Sequence, residues 1–353
     1  MIFNNSMSHK IFGELNLNDE FFDSLKNDYP GFEKWFEKKR YQDAFVQYNQ
    51  FGQIEGFLYL KVEEGIVGDV IPQIRADRIL KVGTFKINAH KTKLGERFIK
   101  IILDYALEER VDVCYMTVFE RHVGLINLVE KFGFRRYGVK DKEIVLLKDM
   151  RKIQGDINKD YPLVDFMNAR KYLLSIYPKY HSVMFPDSIL TTENKKIITD
   201  ISYTNSIHKI YICSMAGVEE LKRGDIIVIY RTASEGRSAE YSAVATSVCV
   251  VDEIHLQQEF SGFEQFYDYA CQYSVFNKSD LNYWYRRGSC KAIKMTYNLA
   301  LKRRIVRHDL IEKIGLERNQ YWGFFELSDQ EFDRILSYGG VIDKIIRKTE
   351  QTF

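Results

Sequence analysis

Two stretches of this chain concentrate side chains that could do chemistry. The first, Phe85-Lys86-Ile87-Asn88-Ala89-His90-Lys91-Thr92-Lys93-Leu94-Gly95-Glu96, reads as a strand running through a basic, glycine-containing turn into a helix. A helix start leaves free N–H groups and a partial positive charge, so such a junction is an anion site. Gly95 would let a ligand approach the backbone, and Lys91 and Lys93 add charge where a pyrophosphate would sit. A solvated basic turn has the same sequence signature. The second stretch, Leu281–Arg307, holds Arg286, Arg287, Lys291, Lys294, Lys302, Arg303, Arg304 and Arg307 and no acidic residue, with Tyr283, Trp284 and Tyr285 directly before the first arginine pair. Cations for phosphates and flat faces for bases are what a single-stranded nucleic acid needs. The alternative is that the aromatics are core and the arginines neutralise acidic segments such as Asp252-Glu253.

The elements that must position these residues follow from periodicity. Asp19–Arg40 has approximately helical apolar spacing broken at Pro30, and Phe45–Gly52 and Ile54–Val62 form a hairpin pattern across Gly52-Gln53. Arg78–Asn88 is a strand, and a helix runs from Leu94 to about Glu109 with Phe98, Ile101, Ile102, Tyr105 and Ala106 on one face. A strand at Val111–Phe119, a helix at Leu125–Phe132 stopped by Gly133, and a strand pair at Phe134–Val139 and Glu143–Leu147 complete an α/β layer pattern. Arg151–Asp165 is polar and holds Gly155 and Pro162; it reads as a linker between residues 1–150 and 166–353. The second half is β-dominated, with strands at Ile207–Ser214, Asp225–Tyr230, Ser242–Ile254, Cys290–Met295 and Tyr321–Leu327, and Ser328–Glu331 opens a last helix as a capping box. A small mixed barrel is the expected form.

Composition sets the outer limits. With 353 residues, 51 Lys+Arg against 49 Asp+Glu and a net charge of +2, the chain is sized for about two domains and cannot hold nucleic acid by bulk charge. Its 45% hydrophobic content suits buried cores, and 23 Tyr and 24 Phe beside 5 Pro exclude a disordered chain. No segment approaches the roughly 20 uninterrupted apolar residues of a membrane helix, and Met1–Phe12 lacks a signal-peptide core. The five cysteines are dispersed without CxxC pairing, which indicates neither a disulfide framework nor a zinc site and makes a reducing cytoplasm the expected setting.

From Ile11 to Met150 the order of elements, with FKINAHKTKLGERFIKIIL and RHVGLINLVEKFGF, resembles the GNAT superfamily of acetyl-CoA-dependent N-acyltransferases. The first stretch stands where that family has Q/R-x-x-G-x-G/A, with His90 at the Q/R position, Lys93 at the first small position and Gly95 at the second; the second stretch matches a short helix closing on x-G-F. The resemblance implies that backbone N–H groups from about His90 to Glu96, through Lys91, Thr92 and Lys93, cradle the pyrophosphate of CoA, while the strand edge at Phe85, Lys86 and Ile87 holds the pantetheine arm. Val129 stands where many members carry the tyrosine that protonates the leaving thiolate, and a valine cannot donate a proton. Acid catalysis would then come from elsewhere, with Tyr115 as the candidate, or be dispensed with. Glu120 and His122 are the candidate bases for the attacking amine. A surface cap is the plainer reading of both, and His122 also falls where the family often has a cofactor-contacting Asn.

The pattern KRGDIIVIY followed by AVATSVCVV, within Ile207–Leu336, resembles the PUA-like barrels, which include the ASCH and EVE domains. That resemblance implies binding of RNA or modified nucleobases, with Trp284, Tyr285, Arg286, Arg287, Arg303 and Arg304 as the candidate surface. The fold expected is therefore a two-domain α/β chain, a GNAT-like mixed sheet followed by a PUA-like barrel. The activity expected is acetyl transfer from acetyl-CoA to an amine on RNA, aminoacyl-tRNA or protein; the alternative is a catalytically silent reader of acyl-CoA and RNA.

Overall fold

The computed structural model describes residues 7–49, 51–88, 93–188, 190 and 206–341. The chain divides into two compact units, Met1–Met150 and Arg151–Phe353. The first is built on a mixed sheet of β1 (Met7–Ile11), β2 (Asp43–Tyr48), β3 (Ile54–Val67), β4 (Ile74–Ile87), β5 (Val113–Val118), β6 (Arg135–Lys140) and β7 (Glu143–Asp149), in the order β1-β2-β3-β4-β5-β7-β6. Every neighbouring pair is antiparallel except β4 and β5. A parallel pair needs a crossover, here the helix α3 (Leu94–Glu108). The predicted hairpin across Gly52-Gln53 is the β2–β3 pair, and β3 runs on past the predicted end at Val62 to pair with β4, through charged residues such as Glu63, Glu64 and Arg75 to the buried Val67 and Ile74.

The helical pattern of Asp19–Arg40 resolves into a 3₁₀ turn at Glu20–Phe22, α1 (Asp23–Asp28) and α2 (Phe32–Lys38), with Gly31 at φ 92° making the turn that Pro30 signalled. Much of the aromatic surplus is spent here. The Phe57 ring, fully buried on β3, lies 5.3 Å from Phe12, 5.5 Å from Phe22 and 6.3 Å from Phe36, so α1 and α2 are fastened to the sheet by stacked and edge-on rings. A short helix, α4 (Val123–Lys131), follows β5.

The second unit opens on α5 (Ile157–Asp160), so Arg151–Asp165 packs as part of this unit. The Asp160 carboxylate accepts from the backbone N–H groups of Gln154, Gly155 and Asp156 at 2.7, 2.8 and 2.9 Å, and Tyr161 is fully buried. The sheet comprises β8 (Lys171–Ile176), β9 (His208–Cys213), β10 (Ile226–Arg231), β11 (Val244–Leu256), β12 (Lys291–Val306) and β13 (Phe324–Leu327), in the order β13-β8-β10-β11-β12-β9. The expected barrel is not closed among the described residues: β13 and β9 end the sheet and do not pair. Helices cover both faces of this open sheet. On one lie α6 (Pro178–Met184), α8 (Phe263–Ala270) and α9 (Lys278–Arg286); on the other lie the small helix α7 (Ala239–Ser242), α11 (Asp329–Tyr338) and the π-helical turn Leu310–Ile314, which follows the single turn α10 (Arg307–Asp309). The capping box is present, with Ser328 N–H donating to Glu331 at 2.8 Å. No helix among the described residues is long and apolar enough to cross a membrane.

Candidate functional site

The parallel pair β4–β5 is short. Ile79–Val82 pair with Val113–Met116, after which β4 runs on for five residues and β5 for two without pairing to each other. The strands part at their carboxyl ends, where α3 and α4 begin, and a crevice at such a point is the usual ligand position in open α/β sheets. A bulge marks the parting: Tyr59 pairs with Thr84 and Leu60 with Val82, leaving Gly83 over. A Cβ on Gly83 would stand 2.7 Å from Tyr59 Cδ1, so any side chain there would have to displace the Tyr59 ring. Beyond the bulge the edge of β4 faces the opening. Asn88 N–H donates to Glu55 on β3, and alternate residues of a strand turn their backbone groups to opposite sides, so Lys86 also faces β3 while Phe85 and Ile87 present theirs to the open edge.

The remaining candidates fall at different depths. Lys93 caps α3 with φ −77°, so no glycine is needed there; His90, Lys91 and Thr92 lie outside the described residues. Gly95 is buried, and a Cβ there would meet Leu128 Cδ2 at 2.7 Å and Ile87 Cδ1 at 3.3 Å, so it serves close packing of α3 on α4 and on the strand end. Glu96 is buried in the first turn of α3, where a carboxylate is favoured by the helix dipole. Lys86 Nζ bonds the Phe21 carbonyl and lies 4.6 Å over the Phe21 ring; burial pulls its pKa down, against the charges of Asp23, Asp28 and Asp19.

Tyr115 sits on the paired part of β5, opposite Lys81 and fully buried, with its hydroxyl donating to Glu63 Oε2 at 3.0 Å. Burial foremost, and then Glu63, push that phenol far up. For Glu63 burial acts upward, but the bond from Lys61, the charge of Lys81 and the Tyr115 bond outweigh it and hold the carboxyl below its usual range. Val129 is fully buried core. Glu120 is 72% exposed and pairs with Arg136 at 2.7 Å; His122 is 45% exposed, caps α4 and lies 3.7 Å from Asp28.

What the periodicity did not reveal is how α1 reaches this loop. Arg121 pairs with Asp28 at 2.5 Å and stacks on Phe119, and the Tyr29 ring packs 5.3 Å from Phe119 while its hydroxyl donates to Glu143 at 2.6 Å. The available signal was the charge and aromaticity of Asp28-Tyr29 just before the Pro30 break.

In the second unit the basic run is divided. On α9, Tyr285 is packed on Phe263 and Phe266, and Trp284 is half-buried against the core, whereas Tyr283, Arg286 and Arg287 are exposed. Arg287 lies over the rings of Tyr283 and Trp284 at 5.5 and 5.6 Å. Next to α9 is a groove of about 470 Å³ lined by Gln257, Phe260, Tyr285, Gly288, Ser289 and Lys291. Lys291 pairs with Glu219, and Lys294 with Asp252 and Glu253, so lysines of the run neutralise the acidic segment that the alternative gave to its arginines. Arg303 and Arg304 lie at the far end of β12. A dozen residues, about 40 Å of extended strand, separate them from α9, so the six candidates do not form one surface.

No protein-family model matches the sequence, and no curated protein matches it. Among solved structures the chain is similar to a mutant ASCH protein of Zymomonas mobilis (10% identity, TM-score 0.34, covering 48% of this chain and 95% of that one). It is also similar to a GNAT-family acetyltransferase of Staphylococcus aureus Mu50 (12%, TM-score 0.31, 41% and 99%). A GNAT-family acetyltransferase of Elizabethkingia anophelis with acetyl-CoA bound gives 12%, TM-score 0.31, and 42% and 99%. Each covers less than half of this chain.

Proposed function

We propose that the first unit is an acetyl-CoA-dependent N-acyltransferase of GNAT type and that the second binds RNA through α9. The observation that carries the first part is the opening between β4 and β5, in which a bulge at Gly83 turns two consecutive outward-facing backbone positions, Phe85 and Ile87, toward the start of α3. These groups fit acetyl-CoA: an amide-bearing arm can pair with a strand edge, and the negative φ of Lys93 keeps the turn into α3 compatible with an anion. When bound, acetyl-CoA supplies a thioester open to attack by an amine. The chain's part is to orient that carbonyl by the β4 edge and to exclude water with the segment around α1. We assign His122, beside Asp28 at the loop, to take the proton of the attacking amine, and leave Glu120, paired in solvent, as surface. In this reading Tyr115 does not protonate the leaving sulfur, since it is committed to Glu63. Val129 and Tyr115 together favour a second reading, acyl-CoA binding without turnover.

Calorimetry and a thermal-shift measurement with acetyl-CoA test both readings: heat and a raised melting temperature are expected, and their absence overturns both. Incubation with radiolabelled acetyl-CoA and either cellular RNA or protein extract then separates them, with label in one fraction expected and binding without label establishing the silent reader.

For the second unit, Arg286→Ala with Arg287→Ala is expected to weaken binding of single-stranded RNA and to flatten the slope of log K against log salt by about 1.4, two phosphate contacts at about 0.7 each. An unchanged slope places the nucleic-acid surface elsewhere. The described cysteines are all free and four of the five are buried, which fits a reducing compartment.

A further inference from the structure

In the first unit, strand register puts a lysine of β4 on a particular face of the β4–β5 opening. Phe57, Tyr59 and Lys61 alternate along β3, and they lie opposite Lys86, Thr84 and Lys81 of β4. Neighbours settle which face these residues share. Phe57 packs into the aromatic group that fastens α1 and α2, whereas a Cβ on Gly56, the next residue toward the start of β3, would run into the Phe98 ring of α3. Lys81 therefore stands on the face that looks away from α3. Its rung with Tyr115 is followed by only one more, Val82 with Met116, before the two strands part.

Three lysines meet two carboxylates here. Lys61 Nζ lies 2.9 Å from Glu63 Oε1, and Lys140 Nζ lies 2.5 Å from Asp69 Oδ2. Glu63 also accepts from the Tyr115 hydroxyl at 3.0 Å. Each carboxylate thus has a lysine of its own, and Lys81 is the cation left over. It stands directly opposite Lys61, and like charges so placed destabilise a strand pair. Its Nζ lies 5.7 Å from the centre of the buried Tyr115 ring, and it makes no hydrogen bond among the described residues. Burial foremost and then the charge of Lys140 pull its pKa down, Glu63 and Asp69 act upward, and Lys61 adds to the fall.

We propose that Lys81 determines acceptor specificity in the first unit, selecting amines that carry a single carboxylate at the end remote from the amine. The inference rests on the acetyl-transfer reading given above. In that reading the cofactor's phosphates sit at the start of α3, so the acceptor comes to the thioester from the other face, where Lys81 lies. From Lys81 to the Phe85 edge is about 13 Å of extended strand, part of which the lysine side chain spans. The amine and the carboxylate therefore belong to opposite ends of one elongated molecule. A carboxylate at Lys81 gives the ammonium the hydrogen-bond acceptor it lacks and offsets its repulsion from Lys61. Because only one charge is left over, the match is to one anion; a strand of phosphates would set further negative charge against Glu63 and Asp69. The acceptor of this unit is thus an amino-acid-like amine and not a nucleic acid. The same chemistry serves a free ω-amino acid or a peptide with an acidic residue shortly after its N-terminus.

The test follows CoA release by the full chain with ω-aminooctanoate, with its carboxamide, and with a peptide bearing Glu or Gln shortly after a free N-terminus. For each pair kcat/KM is expected to favour the carboxylate about tenfold, mostly through KM. Lys81→Gln is expected to abolish that difference and Lys81→Arg to keep part of it. Whichever of ω-aminooctanoate and the Glu peptide is used better names the source. Equal use of carboxylate and carboxamide overturns the proposal, as does a preference that survives Lys81→Gln, or transfer to an amine-bearing oligoribonucleotide ahead of both acids. Where Lys81→Gln fails to fold, Lys81→Met, of similar length, takes its place. If the chain binds acetyl-CoA and releases no CoA, calorimetry of the same pairs on the acetyl-CoA complex replaces the kinetics, and equal binding overturns the proposal. If acetyl-CoA does not bind at all, the acetyl-transfer reading falls, and the same calorimetry without cofactor decides on Lys81 separately.

Discussion

Ile87→Pro is expected to lower kcat/KM for acetyl transfer about 100-fold, the size of effect seen when one oriented donor is removed from a transition-state site. The substitution is selective because Ile87 turns its N–H to the open edge of β4, whereas the ladder to β3 is carried by its neighbours Lys86 and Asn88. Proline is tolerated on an unpaired strand edge, so the fold should lose only the packing of a half-buried side chain, about 1 kcal/mol. Ile87→Val, which keeps the N–H, is the control and should stay within a fewfold of the parent. A proline variant as active as the parent would remove the strand edge from the mechanism; equal losses in both variants would trace the effect to packing.

The largest effect on stability is expected at Phe57. Truncation to alanine removes a fully buried ring from the group formed with Phe12, Phe22 and Phe36, at a cost of about 3–5 kcal/mol. The calorimetric transition of the first unit should fall by about 10 °C. Phe57→Leu, which fills most of the space, should recover more than half of this. A smaller loss in Phe57→Ala than in Phe57→Leu would mean that the aromatic group is not the fastening of α1 and α2.

How much of this was legible in the sequence depends on the range of the interactions. Helix α3, strand β5 and the Ser328 capping box were readable because apolar period and capping chemistry are local. The strand β8 was missed although it is paired on both sides, since Lys171–Ile176 is a six-residue run that joins the sheet through its parallel partner β10 and its antiparallel partner β13. The length of β12 was missed because Thr296 and Asn298 interrupt the apolar run at its predicted end, Met295, and Lys302, Arg303 and Arg304 break it again on a strand that continues to Val306. Of the two sites, the junction before α3 could be located from residue types, but its opening depends on where β4 stops pairing with β5, which no residue near it announces except Gly83. The buried hydrogen-bonded chain through His181, Thr246, Ser247, Ser188 and Tyr297 in the second unit had no local signature at all. Its members are 59 to 109 residues apart at the contacts Ser188–Ser247 and Ser188–Tyr297, and within SAVATSVCVV a threonine and a serine pass for strand filler.

The segment that precedes Pro30 reaches both walls of the β4–β5 opening. Its Phe21 carbonyl holds the Lys86 ammonium from one strand, and its Asp28 holds Arg121 from the loop after the other. The segment therefore bridges the two walls as a spacer would, one contact to each. Insertions or deletions between Phe21 and Asp28 would retune the gap for acceptors of different girth while both strands, the bulge and the start of α3 stayed as they are. Diversification of such a scaffold can then proceed in a stretch that lies outside the strand edge itself.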